Sequence, residues 1–182
     1  MNEKEMIRIS KRLALHLRHD PAAIGLTLAP GGWVEVDTLL RALRTHGLTI
    51  TREQLDEIVE TNTKRRYAFD ETRTKIRASQ GHSVEVDLGL PDATPPDVLY
   101  HGTVPKFLDA ILREGLRPMH RHAVHLSATI DTARTVAARR GQPVILRVDA
   151  AAMAAASHTF QVSANGVWLT AAVPPEHLHR LD

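Results

Sequence analysis

The sequence predicts an α+β protein in two parts, and three observations predict it. Before Thr61, apolar residues recur at helical spacing in three segments, and two short β-rich runs follow. Pro91, Pro95 and Pro96 then interrupt the chain. Past them, short apolar strands alternate with short helices, the pattern of a mixed domain. This places one lobe at 1–90, a short stiff linker at 91–97 and a second lobe at 98–182.

In the first lobe, Glu5 to Arg18 reads as a helix because Ile9, Leu13 and Leu17 share one face. Asp20-Pro21 ends it, since proline disfavours a helical conformation in the residue before it. Gly31-Gly32 marks a turn, and Trp33 to Val36 a short strand. Asp37 is placed to cap a second helix with Leu39, Leu40 and Leu43 inward and Gly47 as its stop. Thr51-Arg52-Glu53-Gln54 fits a capping box and opens a third helix carrying Leu55, Ile58 and Val59. Tyr67-Ala68-Phe69 and Lys75-Ile76-Arg77 flank a turn at Asp70, Glu71 and Thr72 and read as a hairpin. Three helices and a hairpin suggest a winged-helix module, a common reader of nucleic acid.

In the second lobe, Val98-Leu99-Tyr100 reads as a buried strand, with His101-Gly102-Thr103 following it. Pro105 to Glu114 is a helix stopped by Gly115, and Val124 to Ser127 is a strand. Asp131 to Arg140 is a helix stopped by Gly141. Val144 to Val148 is the clearest strand, Ala150 to Ala156 a short helix and Val167 to Thr170 a further strand.

Composition narrows the function. At 182 residues and 43% apolar content the chain can bury ordinary cores. Only 4% of residues are aromatic, which argues against a wide base-stacking platform. Net charge is +2, so a nucleic-acid partner must be held by a local patch, of which Lys64 to Arg77 is the best. The absence of cysteine removes disulfides, thiol catalysis and thiolate-bound zinc. The eleven histidines show no metal-binding helical spacing, so no metal is expected. No apolar run reaches membrane-spanning length, and Met1 to Ser10 is too polar for a signal peptide. The expected compartment is the cytoplasm, with no membrane and no obligate protein partner, and a monomer as the default.

Chemistry concentrates in separated basic segments. Arginine grips phosphate with a planar, permanently charged fork, and histidine adds a second donor. Arg18-His19 closes the first helix, where cations also favour the helix dipole. Lys64-Arg65-Arg66 is a charge run, which is equally a solvated face. Arg77 leads into Gln80-Gly81-His82-Ser83, where hydrogen-bonding side chains surround a glycine that lets the backbone approach a ligand. His101-Gly102-Thr103 offers a similar polar triplet at a strand end. His125 and Ser127 share one face of their strand and need polar partners from protein or ligand. Arg139-Arg140-Gly141 ends a helix. Such a set calls for phosphate ligands, and more than one.

Together these segments resemble the RNA 2′-phosphotransferase (tRNA 2′-phosphotransferase) family over nearly the whole chain. The resemblance is carried by Ser10-Lys11 through His19, by Lys64-Arg65-Arg66-Tyr67, and by Ile76-Arg77-Ala78 with Gln80-Gly81-His82-Ser83. It continues in Tyr100-His101-Gly102-Thr103, in His125-Leu126-Ser127 and in Val136 to Leu146. It implies a winged-helix-like RNA lobe and an ADP-ribosyltransferase-type lobe that binds NAD. The implied reaction moves an internal RNA 2′-phosphate, of the kind left by tRNA splicing, onto NAD through an RNA-2′-phospho-ADP-ribose intermediate. Its products are 2′-hydroxyl RNA, nicotinamide and ADP-ribose 1″,2″-cyclic phosphate. A related reading is an ADP-ribosyltransferase that caps terminal phosphates of nucleic acids. A third, from another class, is a non-catalytic RNA- or NAD-binding module.

The resemblance also assigns roles. The family's Arg-His-Arg-Arg catalytic set falls on Arg18, His19, Arg66 and Arg139, with Arg65 and Arg140 as the adjacent alternatives. His101, Gly102, Thr103, His125 and Ser127 fall on the NAD side. Lys64, Arg65, Arg77, Gln80, His82 and Ser83 fall on the RNA phosphate side. Ala137 stands where the family has glycine, and Tyr67 where phenylalanine is common. The Val167 to Thr170 strand lacks the glutamate many ADP-ribosyltransferases carry, in keeping with a nucleophile that is already charged.

Overall fold

Ile9, Leu13 and Leu17 are all buried, but the helix carrying them changes pitch before it ends. In the computed structural model, which describes residues 1–84 and 86–181, α1 (Glu3–Ala14) starts at Asn2, whose side chain accepts the Glu5 N–H at 2.9 Å. The chain then widens into a π-helical turn, Leu15–His19, closed by the Asp20 N–H on the Leu15 carbonyl at 2.8 Å. Buried His16 explains the wider turn. Its Nδ1 donates to the Asp20 carbonyl at 3.0 Å, and its Nε2 accepts from Arg12 Nε at 3.0 Å. Arg12 reaches on to the His46 carbonyl at 3.0 Å. π-turns of this kind recur at functional sites.

The chain divides into two compact units, Met1–Gly89 and Leu90–Asp182. In the first, β1 (Val34–Glu35) is shorter than predicted and leads straight into α2 (Val36–Thr45). Glu35, not Asp37, occupies the cap position. Asp37 lies in the first turn, where a carboxylate still favours the dipole. α3 (Arg52–Thr61) opens with the complete capping box: Gln54 N–H donates to Thr51 Oγ1 at 3.1 Å and Thr51 N–H to Gln54 Oε1 at 2.9 Å. β2 (Tyr67–Phe69) and β3 (Lys75–Ala78) form the hairpin, with Tyr67 opposite Ala78 and Phe69 opposite Ile76. β1 pairs on the other side of β3, giving the antiparallel order β1-β3-β2. Asp70 Oδ1 fixes the turn by accepting the Lys75 and Thr74 N–H groups at 3.0 Å each. These bonds, the Lys75 one first, hold its carboxyl below the usual range.

The second unit contains β4 (Leu99–Thr103), α4 (Pro105–Glu114), β5 (Val124–Leu126), α5 (Ile130–Ala138) and β6 (Val144–Val148). It continues with α6 (Ala150–Ala155), β7 (Phe160–Val162), β8 (Trp168–Thr170) and β9 (Leu178–Leu181). Two antiparallel sheets result, ordered β4-β6-β9 and β5-β8-β7. They are joined where Tyr100 and Ser127 exchange backbone hydrogen bonds of 2.9 and 2.8 Å. Leu99, Leu126, Leu146, Val148, Met153 and Phe160 fill the core. The whole chain is therefore mixed α/β with small antiparallel sheets.

Three differences from the sequence reading matter. His101, Gly102 and Thr103 lie inside β4 rather than beyond its end. β7 and β9 are additional strands, β7 only three residues long and β9 half polar, and hence without a strong signature. The proline-rich stretch is bonded along the second unit: Ala93 N–H donates to the Phe160 carbonyl at 2.7 Å, and Asp97 accepts the Ala151 N–H at 3.1 Å. Among the described residues no helix is long and apolar enough to cross a membrane.

Candidate functional site

The first unit gathers its basic segments around Tyr67. This buried tyrosine donates to the Ser10 carbonyl at 2.5 Å and its oxygen lies 3.3 Å from Ser10 Oγ. Burial pushes its hydroxyl above the ordinary tyrosine value, while the Ser10 bond and then the charges of Arg18 and Arg66 pull the other way. Arg18 and Arg66 therefore both lie within electrostatic reach of one oxygen, although they are far apart in sequence.

The segment after β3 closes the same cluster. Ser79 donates its N–H to the Arg66 carbonyl and its hydroxyl to the Arg65 carbonyl, both at 2.8 Å. Four residues on, Ser83 donates its N–H to the Arg18 carbonyl at 2.8 Å, and its Oγ lies 2.9 Å from His19 Nδ1. Gly81, at φ +88°, makes the turn between these two anchors. Gly32 approaches His82 so closely that a β-carbon there would lie 3.1 Å from His82 Nε2, and His82 is buried. Arg65 itself adopts a positive φ of 44°, uncommon for a residue other than glycine, just before the strand that Arg66 leads into.

Arg77 is spent differently. Its guanidinium lies 4.5 Å over the Trp33 ring and reaches the Gly31 carbonyl at 3.4 Å. Burial lowers its pKa below the arginine norm. Its Nε and the Oε1 of Gln80 are buried and lack a hydrogen-bond partner among the described residues. Lys64 is exposed in the loop before β2, where its N–H bonds Asn62 Oδ1 at 3.1 Å.

Alkaline titration tests the burial of Tyr67. A raised folded-state value means that stability is complete below the unfolded pKa near 10 and is lost as pH rises through the folded value. The first unit of the unsubstituted chain should lose stability above about pH 10, measured by urea unfolding. Tyr67→Phe should be about 1 kcal/mol less stable at neutral pH through the lost hydrogen bond, and should lose less on going alkaline. Equal alkaline losses in the two proteins would refute the assignment.

The second unit holds a separate polar group at the junction of its sheets. His101 Nδ1 lies 3.3 Å from the His125 carbonyl and donates to it. Burial, opposed by that bond and reinforced by the charge of Arg140, depresses its pKa, so its imidazole is neutral near pH 7. Ser127 sits beside it through the Tyr100 backbone pairing. Thr103 is buried. Gly102 serves packing. A β-carbon there would lie 2.1 Å from the Ala133 carbonyl oxygen and 2.9 Å from the Ala137 β-carbon, so α5 rests directly on β4. That contact also accommodates alanine at position 137. Arg139 caps α5, and Arg140 follows, its N–H on the Ala137 carbonyl at 2.9 Å. Arg140 also lines an open cavity of about 500 Å³ with Val104, Lys106, Phe107, Gly141 and Gln142.

Residues 4–172 match the family described as RNA 2'-phosphotransferase, Tpt1 / KptA family. The chain belongs to the RNA 2'-phosphotransferase family. It is 58% identical over 178 residues to a probable RNA 2'-phosphotransferase of Streptomyces coelicolor, covering 98% of this chain and 97% of that one. The corresponding protein of Trichormus variabilis is 54% identical over the full length of both. That of Flavobacterium johnsoniae is 48% identical, over 98% of each.

Within this family member, part of the sequence-predicted set falls into a cluster in each unit, whereas Lys64, Arg77, Gly102 and Arg139 are not bonded into either. Arg18, His19, Arg65, Arg66 and Ser83 are bonded through one segment, with Gln80 and His82 inside it. His101, His125 and Ser127 meet at the sheet junction. Sequence reasoning missed His16, whose ring ties off the π-turn beneath Arg18 and His19. It also missed Arg121, whose Nη1 lies 2.6 Å from His125 Nδ1. The only signal for Arg121 was a basic residue in the turn before a strand, which is too common to single out.

Proposed function

We propose that this protein removes an internal RNA 2′-phosphate by transferring it to NAD. The products are 2′-hydroxyl RNA, nicotinamide and ADP-ribose 1″,2″-cyclic phosphate. The observation that carries the reading is the Ser79–Ser83 segment, bonded at one end to Arg65 and Arg66 and at the other to Arg18 and His19, in a chain of the RNA 2'-phosphotransferase family. On this reading the first unit is a winged-helix-like RNA lobe, supported by its helices and its three-stranded sheet. The second is an ADP-ribosyltransferase-type lobe, supported by its two sheets joined at Tyr100 and Ser127.

The residues divide the chemistry as follows. In the first step a 2′-phosphate oxygen bonds to the anomeric carbon of the nicotinamide ribose as the bond to nicotinamide breaks. Nicotinamide leaves neutral because it is cationic in NAD, so this step needs alignment more than acid–base help. Alignment of this kind supplies about 7–11 kcal/mol in favourable cases. Neutral His101 and the Ser127 hydroxyl suit the uncharged ribose hydroxyls of NAD. In the second step the ribose 2″-hydroxyl bonds to phosphorus, its proton passing to solvent, as the bond from phosphorus to the RNA 2′-oxygen breaks. Charge grows on the phosphoryl oxygens, and Arg18, Arg66 and Arg139 offset it. His19, its ring oriented by Ser83, gives the proton to the departing oxygen. Cationic guanidinium groups perform the charge neutralisation that a metal ion would otherwise supply.

An oligonucleotide with one internal 2′-phosphate, incubated with the full chain and NAD, tests this. Nicotinamide, 2′-hydroxyl RNA and the cyclic phosphate should appear in equal amounts, unchanged by a chelator. A stable ADP-ribosylated RNA as end product would instead establish a capping enzyme. No nicotinamide release would leave a binding module.

A further inference from the structure

His16 lies on the apolar face of the first helix and is buried there with Leu13 and Leu17. A polar ring in that place costs stability unless its nitrogens are bonded, and both are. Arginine only donates, so Nε2 accepts from Arg12 and carries no proton. The ring's one proton is therefore on Nδ1, which donates to the Asp20 carbonyl at 3.0 Å. Arg12 extends the line to the His46 carbonyl, just past α2. A leucine at position 16 would satisfy burial but make neither bond.

The bond to Asp20 falls where the helix changes pitch. The Asp20 N–H returns to the Leu15 carbonyl, and its Oδ1 accepts the Ala23 N–H at 3.1 Å. By taking the Asp20 carbonyl, His16 completes the hold on that residue. The pitch decides where Arg18 points. At 3.6 residues per turn, Arg18 would stand about 140° round the axis from Leu13, on the solvent side. A wider turn advances each residue by a smaller angle and swings Arg18 back toward the core side. The Nε and Nη2 of Arg18 are indeed buried, and its charge acts on the buried Tyr67 hydroxyl.

We propose that His16 is a positioning residue for the phosphate chemistry: by bonding the Asp20 carbonyl it holds the π-turn that aims Arg18 inward. It touches no reacting atom. Its catalytic consequence rests on the phosphate-transfer reading above, whereas the clamp itself does not. Arg12 is a strut that fixes the ring and is secondary to the Asp20 bond. A misaimed Arg18 leaves the charge of the site unchanged and spoils its alignment. The loss therefore falls on kcat and far less on KM.

The experiment measures turnover of NAD with a 2′-phosphorylated oligonucleotide and, separately, hydrogen exchange at the Asp20 amide. The full chain is compared with His16→Phe, His16→Asn and Arg12→Gln, and Trp33 fluorescence verifies folding. Phenylalanine keeps a ring and loses both bonds, whereas asparagine places an amide N–H where Nδ1–H stood and keeps only the bond to Asp20. His16→Phe should lose about 10- to 100-fold in kcat, the range for a reacting group misplaced from a distance, and should exchange faster at Asp20. Its KM values should stay within about threefold of the parent's. His16→Asn should regain about tenfold of that kcat and slow the exchange again. Arg12→Gln should cost less than His16→Phe and add little to it, because the two side chains act through one chain of bonds. Parental kcat in folded His16→Phe, a loss confined to KM, or no recovery in His16→Asn would overturn the positioning role. Parental Asp20 exchange in His16→Phe would overturn the clamp. If the parent releases no nicotinamide, the reaction and His16's part in it both fall, and exchange at Asp20 still decides the clamp.

Discussion

Gly102→Ala is expected to destabilise the second unit by about 3 kcal/mol or more, the upper end of what overpacking costs. The added β-carbon would sit 2.1 Å from the carbonyl oxygen of Ala133 and 2.9 Å from its carbonyl carbon. These are backbone atoms of α5, so no side chain can rotate aside to make room. Relief requires the helix to move off β4, which opens the core that Leu99 and Leu146 share. Ala137→Gly in the same chain removes only the contact with the Ala137 β-carbon, also at 2.9 Å, and should restore little. The measurement is urea unfolding followed by Trp168 fluorescence in a Trp33→Phe background, since these are the protein's two tryptophans. In a unit of this size each kcal/mol corresponds to about 4–8 °C of thermal midpoint. A loss under 1 kcal/mol would mean that the helix and strand are more loosely apposed than the geometry requires.

That glycine shows where reading the sequence stopped. A glycine between histidine and threonine reads as room for a ligand, because composition cannot say which neighbour fills the space. Here it is filled by α5, a partner about thirty residues away, and nothing in residues 101–103 announces it. The capping box at Thr51 is the opposite case. Its logic is local, both partners lie within one helical turn, and both bonds form as the spacing predicts. The hairpin and β6 were legible for the same reason, a short-range pattern with a strong period. The π-turn was not. The buried leucines run on through Leu17 in ordinary helical register, and the departure depends on His16 finding Arg12 and the Asp20 carbonyl together. β9 was invisible because it lies at a sheet edge and faces solvent with His179 and Arg180. Its pairing partner β6 supplies the apolar contacts that define it.

Of the catalytic assignments, Arg18 carries the largest expected effect. Arg18→Ala should reduce turnover of a 2′-phosphorylated oligonucleotide about 100- to 1000-fold, the range for removing one preorganised donor from a developing oxyanion. Three features of its setting argue for so large a value. The π-turn fixes its backbone through the Asp20–Leu15 bond and the His16 ring. Its carbonyl is separately held by the Ser83 N–H, so the main chain is pinned on both sides. Its charge acts on the same tyrosine hydroxyl as that of Arg66, and both favour that group's ionised form. A site prepared in this way contributes through what is already oriented when charge develops, and truncation removes that contribution without disturbing the backbone bonds. The variant should therefore fold like its parent by Trp33 fluorescence while losing kcat more than KM. Arg18→Lys should recover part of the loss, since charge returns but the planar two-pronged geometry does not. Turnover by Arg18→Ala within threefold of the parent would remove Arg18 from the chemistry and leave Arg66 and His19 to account for it.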